Sequence, residues 1–241
     1  MIRIMKKKNP VRKKNDDPFI VPESLSQSIS RFLEEKIIKR KLEAGMRLVP
    51  EEIAESMKVS KSPVREALLN LQKEGLVNNV PRVGFFVADI NMDDINEIYP
   101  IRAALISLTI KSIIDKEYEP NFIKTLENFL TKMQKCVQKE DLDGYFNLNV
   151  RLYSYYNDAC SNYRLNAMTH QLGKQVLLFR RLGMTPPGRI QRSLELNQAL
   201  VKAIKEKNGI EATQIIEQII SEGRIALRTL LNVEANERKE R

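Results

Sequence analysis

The chain has 241 residues, 42% of them hydrophobic, enough to bury the cores of two ordinary domains and too much for a disordered or fibrous protein. Its formal net charge is +9, and the excess is uneven: residues 1–88 carry 18 Lys/Arg against 11 Asp/Glu, the remainder 22 against 20. A basic first third beside a nearly neutral remainder suits a chain of which one part displaces counterions from a polyanion, nucleic acid first and an anionic membrane second.

No run approaches the roughly 20 apolar residues that cross a bilayer, and no apolar segment follows the basic stretch Met1 to Asn15, so the expectation is a soluble, cytoplasmic protein. Cys136 and Cys160 are too few and too far apart for a disulfide framework or a zinc knuckle, and read as two separate thiols.

Residues 1–17 carry seven Lys/Arg with little apolar periodicity and read as a flexible basic arm, either touching phosphates or simply solvated. The unit 18–89 follows. Leu25, Ile29, Phe32, Leu33 and Ile37 fall at helical spacing, giving a first helix from Ser24 that frays near Ala44-Gly45. Pro50, Glu51 and Glu52 open a second, two-turn helix with Ile53, Ala54 and Met57 on its apolar face. Ser60 or Ser62 caps a third, with Pro63 in its first turn and Val64, Ala67, Leu68 and Leu71 as its buried stripe, ending at Glu74-Gly75. Two strand-like runs, Leu76 to Asn79 and Gly84 to Val87, joined through Val80-Pro81-Arg82-Val83, form a hairpin. Three helices and a hairpin wing make a winged helix-turn-helix.

Beyond Asp89 the pattern is helical only, near 92–115, 120–138, 141–160, 162–183, 188–207 and 209–232, with breaks at Thr185-Pro186-Pro187-Gly188 and Asn208-Gly209. The expected fold is mainly α: the winged helix followed by an antiparallel all-helical bundle over 90–232, then a loose polar tail over 233–241.

A helix entering the major groove needs polar and cationic residues at its N-terminal end, away from the stripe that docks it. Lys61, Ser62, Arg65 and Glu66 hold that position. Arg65 suits a bidentate contact to guanine, Lys61 a base or phosphate, and the helix N-terminus a phosphate. Arg82 and the backbone of Gly84 are the wing's contribution. Taken alone, such a charged face is as compatible with plain solvation; the helix-turn-helix, wing and basic excess together favour DNA.

The stretch GMRLVPEEIAESMKVSKSPVREALLNLQKEGLVNNVPRVGFFV, Gly45 to Val87, resembles the DNA-binding domain of GntR-type regulators, above all in VSKSPVREAL (Val59 to Leu68) and EGLV (Glu74 to Val77). The resemblance implies operator contacts at Lys61, Ser62, Arg65 and Gly84, with Lys61 standing where the family usually has Arg. The later chain resembles the all-helical C-terminal domain of the FadR subfamily, opening with Ile98-Tyr99-Pro100-Ile101-Arg102 and including Ser161-Asn162. In many such domains an Asp and three His hold a divalent metal that binds a carboxylate effector. By the same resemblance those places hold Asn149, Tyr153, Asn197 and Ile219 here, and neutral amide, phenol and alkyl groups are poor ligands for such an ion. No metal or cofactor is therefore expected. The one histidine, His170, lies elsewhere and reads as a surface or core residue.

Arg102, Asn149, Tyr153 and Asn197 are then the candidate effector-binding residues, with Arg102 suited to an anion such as a carboxylate. Alternatively they tie helices together, or Ile106 and Ile219 fill the space. The resulting expectation is a homodimeric regulator that binds operator DNA under small-molecule control. Its rivals are a regulator whose helical domain serves only dimerisation and an enzyme with an appended DNA-binding domain, for which no nucleophile-base pair, acid cluster or phosphate loop is apparent.

Overall fold

A computed structural model describes residues 23–89, 92–116 and 118–239; the basic arm expected over 1–17 lies outside them. In the first domain, Ser24 and Gln27 form a capping box at the start of α1 (Leu25–Ile38), which buries Ile29, Leu33 and Ile37. The helix stops well short of Ala44-Gly45. Arg40 adopts φ +54°, and the Arg40 and Lys41 amides donate back to the Ile37 and Lys36 carbonyls, a Schellman closure without glycine. Gly45 instead starts the path into β1 (Arg47–Leu48), its amide donating to the Val87 carbonyl.

Helix α2 (Pro50–Met57) begins at its proline and ends at left-handed Lys58. Helix α3 (Lys61–Lys73) has Ser60 at its N-cap and buries Val64, Ala67, Leu68 and Leu71 completely. Gly75, at φ +74°, then closes α3, and the Leu76 amide donates to the Leu71 carbonyl. Strands β2 (Val77–Val80) and β3 (Gly84–Val87) pair antiparallel, Val77 opposite Val87 and Val80 opposite Gly84. The expected hairpin is present, shifted by one residue in β2. Strand β1 adds to the other edge of β3, giving the order β1-β3-β2; a two-residue strand carries no periodicity to read in advance.

The remaining chain forms α4 (Met92–Ile114), α5 (Phe122–Gln138), α6 (Leu142–Ala159), α7 (Tyr163–Gln175), α8 (Leu177–Leu182), α9 (Arg189–Lys205) and α10 (Gly209–Lys239). Helix α10 packs on α4 and α9, α5 on α6 and α9, and α4 on α7. The expected single helix over 162–183 is divided at Val176, a wholly buried residue three positions after Gly173. The last helix continues to Lys239, through most of the segment expected to be a loose tail. Among the described residues no helix is long and apolar enough to cross a membrane. Short α8 touches α1, so the two domains meet where the bundle's chain is broken.

Leu68 is the centre of the first domain's core, with no accessible surface. Leu68→Ala is expected to cost about 2–5 kcal/mol, read as a lower urea midpoint for the domain; a loss under about 0.5 kcal/mol would contradict this packing.

Candidate functional site

The stripe of Val64, Ala67, Leu68 and Leu71 fixes the rotation of α3 and turns Lys61, Ser62, Arg65 and Glu66 outward; all four are exposed. The Ser60 side chain makes no capping hydrogen bond, leaving the first amides of α3 without that partner. Lys61 Nζ lies 3.2 Å from Glu51 Oε1 at the start of α2. The Glu51 carboxyl is held below its usual range by its own backbone amide first and by Lys61 next. Both side chains are more than half exposed, so the pair is weak and a phosphate can displace it.

In the wing, Arg82 is exposed at φ +64°, and Gly84 takes φ +128°. A Cβ on Gly84 would meet the Arg47 guanidinium only at ordinary contact distance, 3.7 Å, so backbone conformation rather than crowding makes this a glycine position. Arg47 Nη2 donates to the Val83 carbonyl at 2.8 Å and braces the hairpin tip. Sequence reasoning missed Arg47, because its role depends on β1.

The second constellation lies inside the helical domain. Arg102 from α4, Asn149 and Tyr153 from α6, and Arg180 from α8 meet around a small inner cavity of about 40 Å³, which Tyr99, Ser193 and Ile219 also line. Arg102, Tyr153 and Arg180 face in addition an outer cavity of about 210 Å³ between α4, α6, α7 and α8, bordered by Ile106, Val150, His170 and Leu177 and by Glu34 of α1. Three of the four expected effector residues are thus brought together. Asn197 lines neither cavity: it is fully buried, and its amide donates to the Ser193 carbonyl at 2.7 Å. Arg180 was not anticipated; in the run Phe179-Arg180-Arg181 nothing marks which arginine turns inward.

The two arginines flank one ring: Arg102 Cζ lies 5.6 Å and Arg180 Cζ 5.1 Å from the Tyr153 centroid. Arg180 Nη2 donates to Asn149 Oδ1 at 2.7 Å. Desolvation pushes both guanidinium pKa values down, and for Arg180 the charge of Arg102 pushes the same way. Since a guanidinium keeps its proton, the depression expresses the cost of burying an uncompensated charge. Burial likewise raises the Tyr153 phenol, whose hydroxyl finds no hydrogen-bond partner. This surrounding does not fit a divalent cation: the Asn149 oxygen is taken by Arg180, and both nearby charges are positive.

The neighbouring arginines are differently placed. Arg181 bonds Asp143 at 2.7 Å, and Arg189 and Arg192 both reach Glu222 across α9 and α10. The Arg192 hydrogen bond, chiefly, holds the Glu222 carboxyl below its usual range. Its folded pKa being lowered, Glu222 stabilises the fold above the unfolded carboxylate pKa, about 4.3, and the contribution disappears as pH falls through the folded value. Glu222→Gln is expected to cost roughly 1 kcal/mol at pH 7, with the difference from wild type closing in acid when urea unfolding is repeated at stepped pH. A difference independent of pH would exclude the ionic origin.

Comparison with known proteins places these features in context. Residues 25–87 match "Bacterial regulatory proteins, gntR family", and residues 97–222 match the FCD domain. The chain is 28% identical over 184 residues to the uncharacterized HTH-type transcriptional regulator YdhC of Bacillus subtilis (strain 168), covering 76% of this chain and 81% of that protein. It is 28% identical over 126 residues to the HTH-type transcriptional regulator McbR of Escherichia coli (strain K12), covering 52% of this chain and 57% of McbR. The solved structure of E. coli McbR/YncC shares the fold with a TM-score of 0.75 at 22% identity, over 87% of this chain and 99% of that one.

Proposed function

This chain belongs to the GntR family of bacterial transcriptional regulators, in the branch that carries an FCD domain, and we propose that it binds a near-palindromic operator as a homodimer whose affinity is set by a small anionic effector. The observation that carries the DNA reading is the outward set Lys61, Ser62 and Arg65 at the N-terminal end of a helix whose opposite stripe has no exposure. Arg65 addresses a base edge and Lys61, released from Glu51, a phosphate or base, while the uncapped amides of α3 receive a phosphate. Arg82 and the Gly84 backbone approach the adjacent groove.

Dimerisation gives two such helices one two-fold axis and hence an inverted-repeat operator. Ile101 and Leu108, each about half exposed and seven residues apart on α4, offer an apolar strip for a second copy to cover. Control by a small molecule requires it to favour one arrangement of the two readers over the other. Arg102, Asn149 and Tyr153 supply the polar groups for that ligand, and Asn197 supports the site from beneath through Ser193. A second reading, a ligand-independent regulator whose helical domain only dimerises, draws support from the small inner cavity; the outer cavity favours the sensor.

Arg65→Ala is expected to abolish sequence-specific retardation of an operator-bearing DNA fragment while leaving the melting temperature within about 2 °C of wild type, as befits an exposed side chain. Unchanged specific binding would remove α3 from the role of reader.

A further inference from the structure

Resting on the reading of the helical domain as an effector sensor, we propose that Arg102 and Arg180 together form a site for a doubly charged oxyanion, a phosphate monoester or a dicarboxylate, whose body fills the outer cavity against α1 of the DNA-reading domain. The charge count leads to the dianion. Arg181 has Asp143 and Arg189 has Glu222, whereas among the described residues no carboxylate forms an ion pair with Arg102, which is buried, or Arg180, which is half-buried. Arg102 is 7% exposed. Two like charges against one Tyr153 ring repel each other and leave the fold with a deficit that a monoanion only halves.

Volume then decides on which side of the pair the ligand lies. The inner cavity, at about 40 Å³, has room for no more than a few waters. The outer cavity, at about 210 Å³, accepts an organic acid of modest size, and Ile106, Val150 and Leu177 give its body an apolar wall. Both guanidiniums are reached from this side. Its rim includes Glu34, which also borders a cleft of about 390 Å³ between α1 and helices α6 and α8. A ligand here therefore contacts sensor and reader at once. Arg180 and Arg181 are consecutive on α8, so a shift of Arg180 toward the anion also moves the Arg181–Asp143 pair that lines the cleft beside α1.

The test is thermal unfolding of the full chain with inorganic phosphate, succinate or acetate at matched ionic strength, in wild type, Arg102→Met and Arg180→Gln. The expected result is a saturable rise of several degrees with phosphate or succinate and little with acetate. The rise should be absent from both variants, and Arg102→Met, relieved of an uncompensated charge, should melt above wild type without any ligand. Arg180→Gln keeps a donor for Asn149 and guards against a merely structural effect. Equal rises in wild type and variants would assign the effect to general salt stabilisation and overturn the site. A rise with acetate as large as with the dianions would overturn the dianion class while leaving an anionic effector in place; no rise with any of the three would remove both.

Discussion

The surface proposed to read DNA depends on one packing constraint, the complete burial of Val64, Ala67, Leu68 and Leu71 on α3. Four apolar side chains on one stripe leave the helix a single rotation, and the polar N-terminal residues then point outward without further design. The wing follows from the same core. Leu76 and Val77 continue from the helix end into it, Phe85 and Val87 return to it, and β1 closes the sheet edge while Arg47 fixes the hairpin tip. The proposed reading surface is thus held in place by buried contacts that lie outside it.

The helical domain follows a different logic. Its packing is ordinary, but at the junction of α4, α6 and α8 it retains two positive charges that form no ion pair with a carboxylate among the described residues. Such a deficit lowers stability, and it is tolerable where a ligand or a partner supplies the opposite charge. The position of α8 gives it consequence. This short helix lies between the charged cavity and α1, with Arg180 facing one and Arg181 bordering the cleft beside the other. The charged cavity and α1 are separated by one helix of six residues.

Much of the fold was legible in the sequence because it is carried by periodic burial and punctuation: the α3 stripe, Pro50 at a helix start, Gly75 at a helix end and the alternation of β3. What was not legible lacks those marks. Arg40 ends α1 in a left-handed conformation that normally signals glycine, β1 is two residues long, and Val176 interrupts a helix without a proline. In the helical domain, matching a family motif located Asn149 and Tyr153 beside the cavity and also pointed to Asn197, whose amide is used within α9. Arg180 escaped notice because two adjacent arginines ordinarily face solvent, and only the packing of α8 decides which is drawn in.

The proposed function rests most directly on reading of DNA by a symmetric pair of α3 helices. Selection of bound sequences from a random DNA pool by the full chain tests it in one measurement. The expected result is enrichment of an inverted repeat whose two half-sites are matched in sequence. Recovery of a single unrepeated motif, or of no motif above the background of charge-driven binding, would contradict it.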